Sequence, residues 1–129
     1  LEANMPTMNI PELITKVKAG KTSIEVLAGQ RGNVSLVVTR LNEKIRNWGE
    51  RRKTFKYKVD RSNRHIADPN ITHYLAYEAD FLARRDADQE QYDLLTGHID
   101  EATVTRDAEL LALKEIDDAL GPMRRGDFS

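Results

Sequence analysis

AGKTSIEVLAGQRGNVSLVVTRL, residues 19–41, decides how the chain is read. Thr22 with Glu25 three residues later is a capping-box pattern, so a helix opens there with Ile24, Val26, Leu27 and Ala28. Gly29, Gln30, Arg31 and Gly32 weaken that helix and predict a turn. Asn33 or Ser35 then caps a further helix, in which Val38, Leu41, Ile45 and Trp48 recur at helical spacing and Gly49 is the stop. Ala28, Gly32, Val38 and Leu41 stand where two crossing helices need a small residue, a turn glycine and two apolar contacts.

Upstream, residues 9–19 predict a short helix: Asn9 caps it, Pro11 suits its first turn, Leu13, Ile14 and Val17 form one apolar face, and Gly20 ends it. Downstream, TFKYKV at 54–59 alternates, with Phe55, Tyr57 and Val59 on one side and Thr54, Lys56 and Lys58 on the other. That is a strand period with a basic face, and helix competes because Phe55 and Val59 are also four apart. Residues 61–69 read as a polar linker ending at Pro69. Two helices follow, over about 70–96 and 100–120, broken at Gly97 and stopped by Gly121-Pro122, with RRDADQEQ at 84–91 facing water. Their short connection predicts an antiparallel hairpin, and residues 121–129 read as a flexible tail.

Charge is distributed unevenly along this layout. The whole chain is nearly neutral at -1, yet residues 40–67 hold ten basic side chains against three acidic, net +7. Residues 68–129 hold fifteen acidic against six basic, net −9. A polyanion is drawn to the middle and repelled by the C-terminal part, which favours nucleic acid over a membrane surface. Cysteine is absent, so there is no disulfide framework and no thiolate chemistry. No apolar run approaches a membrane span and no signal peptide is visible, so a cytoplasmic or virion setting is expected.

Residues 10–46 therefore fit a helix-turn-helix unit in which Ser35, Leu36, Thr39, Arg40 and Glu43 face outward. Ser35 and Thr39 can bond a phosphate or base edge, and Arg40 a guanine or a phosphate. A second register starts at GNVS (32–35) and uses RRKTFKYKV (51–59) as the reading helix, but needs a long connection. The layout of residues 10–120, with the motif confined to about 12–41, resembles the small subunits of phage terminases. That resemblance implies double-stranded DNA contact through Ser35, Thr39, Arg40, Lys44, Arg46, Arg51, Arg52, Lys53, Lys56 and Lys58. It implies a homo-oligomer assembled through residues 70–120, and contact with a larger motor or structural subunit. On the predicted hairpin the apolar residues Tyr74, Leu75, Phe81, Leu82, Tyr92, Leu95, Leu111 and Ile116 are the candidates for that assembly.

Competing readings are plainer. Three short helices can bundle without nucleic acid. The basic run can be a solvated face, an RNA contact, or a dock for the acidic half of a neighbouring copy. Trp48, Phe55 and Tyr57 can stack on bases or fill a core. Lys18-Ala-Gly20-Lys21-Thr22 is no P-loop, since Thr15 stands where the motif needs glycine. His65, His73 and His98 are scattered, so no metal, no cofactor and no catalytic residue is expected. Arg125-Gly126-Asp127 is read as a chance tripeptide. The sequence predicts a mainly α, non-enzymatic DNA-binding protein: a helix-turn-helix-like basic module at 8–60, with a short β element at 54–59, and a helical hairpin at 70–120. The alternative is a structural or adaptor protein that uses its charge asymmetry for docking.

Overall fold

The computed structural model describes residues 9–68 and 75–129, with side chains described from 79 onward in the second stretch. Within these residues the fold is α1 (Ile10–Lys18), α2 (Ile24–Ala67) and α3 (Leu75–Arg124), with no strand. α1 forms as its sequence predicts. The Asn9 side chain accepts the Glu12 N–H at 3.3 Å, Pro11 sits in the first turn, and Glu12 pairs with Lys16 at 3.6 Å. Gly20, at φ +73, then turns the chain in a conformation that favours glycine.

α2 begins where the capping pattern puts it, but it does not stop. The turn expected at Gly29–Gly32, the stop at Gly49, the strand at 54–59 and most of the 61–69 linker are all helical. The reason is a buried seam spaced alternately by three and four residues. It runs Ile24, Leu27, Arg31, Val34, Val38, Leu41, Ile45, Trp48, Arg52, Phe55, Val59, Ser62, Ile66, every one buried or half-buried. That seven-residue repeat belongs to a helix packed along another helix. Each glycine costs about 1 kcal/mol against alanine, less than the seam loses if the helix ends. The 54–59 alternation fails on its own terms, since Val59 is 8% exposed and Tyr57 59%; on a strand they would share a face.

α3 is likewise one helix. Gly97 does not break it, and Gly121-Pro122 lie inside its last turns. The expected hairpin of 70–96 against 100–120 is therefore replaced by pairing of α3 with α2. Its seam runs Phe81, Arg85, Asp88, Tyr92, Leu95, Ile99, Ala102, then Arg106, Glu109, Leu113, Ile116, Leu120, Met123. Arg85 and Asp88, in the stretch expected to face water, are thus half-buried.

Two compact units share these helices, one of residues 1–40 with 105–129 and one of residues 41–104. In the first, Ile10, Leu13 and Val17 of α1 close over Leu27 and Val34 of α2 and Ile116, Leu120 and Met123 of α3. Met123 is thus core, where a flexible tail was expected. The Arg31 guanidinium donates to both Asp117 oxygens, through Nη2 at 3.3 Å and through Nε. In the second unit Trp48 stacks on His98, Arg52 reaches Thr96, and His65 packs edge-on to Phe81. Partner numbers rise on α2 as they fall on α3, so the pair is antiparallel.

Gly29 and Gly32 lack positive φ, and a Cβ on either meets nothing within 4 Å. The double variant Gly29→Ala/Gly32→Ala should therefore raise stability by about 1–2 kcal/mol in urea unfolding. A loss of stability would mean a turn at these positions. The Arg31 hydrogen bonds hold the Asp117 carboxyl below the usual carboxylate range. A depressed carboxyl stabilises the fold above its unfolded value and loses that contribution as pH falls through the folded value. The stability gap between wild type and Arg31→Met should accordingly narrow as pH falls below the ordinary aspartate range. It should be small, since the two side chains are 41% and 45% exposed. A gap that widens on acidification would contradict the pairing.

Candidate nucleic-acid interface

The phase of the seam sorts the basic residues of the second unit. Lys44, Arg51 and Lys58 each stand one residue before a seam position (Ile45, Arg52, Val59) and seven residues apart, about 10.5 Å along the axis. Arg61 falls beside Lys58 on the same flank. None of these four has an acidic residue three or four positions away, and among the described residues none pairs with a carboxylate. Lys58 lies over the Phe55 ring, Nζ 5.2 Å from its centroid. All four are exposed. They form an acid-free cationic stripe along one flank of α2.

The other basic residues are differently placed. Lys53 pairs with Glu50 and Lys56 with Asp60, each at 3.4 Å, and Arg46 lies on that side too. Arg52 turns into the seam, where Nη1 donates to Thr96 Oγ1 at 3.3 Å and the guanidinium sits 5.7 Å from the Tyr92 centroid. Ser35, Thr39 and Arg40 belong to the first unit. Ser35 is half-buried, and its carbonyl accepts the Thr39 hydroxyl at 3.0 Å. Arg40 is exposed. The ten residues expected to touch DNA thus divide among two flanks, the seam and the other unit.

A residue of α3 joins the stripe, and the sequence reading passed over it. Arg84 stands one residue before the seam position Arg85, so antiparallel pairing brings it to the flank of Lys58. Lys58, Arg61, Ser62 and His65 of α2 and Phe81, Arg84, Ala87 and Asp88 of α3 line a cavity of about 300 Å³ there. The signal was the repeat itself, which gives Arg84 and Lys58 equivalent places on their helices. On the opposite flank Lys56, Val59, Asp60 and Asn63 meet Gln89 and Tyr92 around a cavity of about 230 Å³. Acids gather on that side: Asp93 accepts from Gln89 at 2.9 Å, and Asp86 accepts from Arg85, which also donates to Asn63. Asp86, Asp93 and Asp100 are exposed and seven residues apart.

The residues expected to drive assembly are mostly used within the chain. Leu95 and Ile116 are buried, and Phe81, Leu82 and Tyr92 are half-buried. Tyr74 lies outside the described residues, as does the Leu75 side chain. Among the described members of that set only Leu111, 70% exposed, faces outward. No group of three or more potential metal ligands, and no helix long and apolar enough to cross a membrane, occurs among the described residues. No protein-family model, curated protein or solved structure matches this chain.

Arg52 and Lys44 should separate in a stability measurement. Arg52→Ala loses a hydrogen bond and a cation–π contact and should lower unfolding stability by about 1–2 kcal/mol. Lys44→Ala should stay within about 0.5 kcal/mol of wild type. Equal effects would remove the distinction between a seam arginine and a stripe lysine.

Proposed function

We propose that the chain is a non-enzymatic DNA-binding protein that grips backbone phosphates along the cationic flank of its second unit. The observation that carries this reading is the stripe of Lys44, Arg51, Lys58 and Arg61, joined by Arg84, with no acid among the helical neighbours of the four α2 residues. Unpaired cations at regular spacing on a stiff helix meet a phosphate chain without first breaking internal ion pairs. The contact mode we favour is a long helix side laid against the backbone, because α2 continues through the turn that a short reading helix would need. Affinity then comes from counterion release, with little sequence preference. Phage genome packaging or transcription control, with a larger motor or structural subunit as partner, is the setting we propose.

A second reading is favoured by the acidic row. Asp86, Asp93 and Asp100 repeat at the spacing of Lys44, Arg51 and Lys58, on the opposite flank. Two copies laid flank to flank would match cation to anion, and a structural or adaptor protein would use the stripe in this way.

One experiment separates the two. Fluorescence anisotropy on a labelled duplex should give an affinity falling with salt at a log–log slope of about −4 to −5, for five phosphate contacts. The triple variant K44E/R51E/K58E should abolish binding, whereas R46E/K53E/K56E, with the same change in net charge, should retain most of it. Equal losses from both triples would sink the stripe as the contact surface. No DNA binding at low salt, with a salt-sensitive oligomer that K44E/R51E/K58E dissociates and D86K/D93K/D100K restores when mixed in, would establish the second reading.

A further inference from the structure

We propose that the cavity between Lys58 and Arg84 is a seat for a phosphomonoester, the chemical group of a nucleic-acid end or a mononucleotide. The inference deepens the DNA reading and rests on it for the source of the phosphate. It begins with an irregularity in the seam. Where the preceding seam positions of α2 carry Trp48, Arg52, Phe55 and Val59, the next carries Ser62, 8% exposed and the one buried polar residue among those described. A small side chain there leaves space between the helices, and the space opens on the cationic flank as the 300 Å³ cavity. That volume lies at the lower end for small-molecule sites, room for a phosphoryl group with its sugar.

The lining has the chemistry of such a group. Lys58, Arg61 and Arg84 face one carboxylate, Asp88, leaving two net positive charges among these four side chains. A phosphomonoester carries about −1.5 to −2 at pH 7, whereas an internal diester carries one charge. The lining therefore balances an end phosphate and over-balances a backbone one. Two guanidinium groups supply planar paired donors, the Ser62 hydroxyl is a further donor, and Phe81 offers an apolar wall with His65 edge-on at 4.9 Å. The rest of the stripe, Lys44 and Arg51, has no such enclosure and takes diesters as they come.

The test is a titration of the isotope-labelled full chain, following backbone amide resonances of Ser62, His65 and Arg84. A 5′-mononucleotide should give saturable shifts centred on these residues. A dinucleoside monophosphate without terminal phosphates should bind at least about tenfold more weakly. Ser62→Leu, which fills the hollow, should abolish the mononucleotide shifts. Arg84→Gln, an exposed position where folding is not at stake, should weaken them about tenfold. Equal affinity for the two ligands, or shifts as large at Lys44 and Arg51 as at the cavity, would overturn the seat whether or not the protein binds DNA. A parallel arm compares a 5′-phosphorylated duplex with its dephosphorylated form. A preference lost in Arg84→Gln identifies a DNA end as the occupant, and mononucleotide shifts without that preference identify a free nucleotide. Loss of duplex binding with mononucleotide binding intact would count against the DNA reading alone.

Discussion

Burial of every third or fourth side chain of α2 against α3 is the constraint from which the other features follow. It keeps α2 helical through Gly29, Gly32 and Gly49, and α3 through Gly97. None of these glycines has a neighbour within 4 Å of a built Cβ, so none is there for close approach. Each lies off the seam, where lost propensity costs about 1 kcal/mol and no packing. The seam is not uniformly apolar. Arg31 meets Asp117, Arg52 meets Thr96 and Tyr92, and Arg85 meets Asn63. Polar pairs of this kind contribute little net stability, but a one-step slip leaves them half-buried without partners. They fix which residues of α2 and α3 face each other.

The same repeat organises the charge. Read along the chain, a basic middle is followed by an acidic end. Folded, the two stretches run side by side in the second unit, and the seam divides their charges between flanks. Lys44, Arg51, Lys58, Arg61 and Arg84 lie to one side. Asp86 and Asp93 lie to the other, tied to Arg85 and Gln89. A field that looks like a dipole in sequence is, in this unit, a difference between two faces about a helix diameter apart, comparable with the Debye length at physiological salt. An approaching polyanion therefore meets an excess of positive charge on that flank, where Asp88 is the one carboxylate lining the cavity.

What could be read directly was local. α1 was legible from Asn9, Pro11 and Gly20, because caps and glycine turns act within one helical turn, and α2 begins at Ile24, within one residue of the expected start. The continuation of α2 was not legible, since its support comes from α3, dozens of residues away. TFKYKV is the clearest case: its local alternation favours a strand, and partner packing makes it helix. The polar stretch at 84–91 faces water as expected at six of its eight positions, and only Arg85 and Asp88, seam residues with unusual chemistry, depart from that. For the candidate interface, the basic residues were visible as a set. Sorting them needed the phase of the repeat, and Arg84 needed the antiparallel partner.

The Arg31–Asp117 contact joins residues 86 positions apart. As the chain is synthesised, α1 and the first turns of α2 leave the ribosome with their apolar faces bare, and Ile116, Leu120 and Met123, which cover them, are made only after the rest of α2 and most of α3. At about 5–20 residues per second that interval lasts several seconds. Leu13, Val17, Leu27 and Val34 stay open to chaperones or to other nascent chains throughout. A ribosome stalled within α3 would hold this unit without its closing helix, so the yield of folded protein depends on elongation through α3.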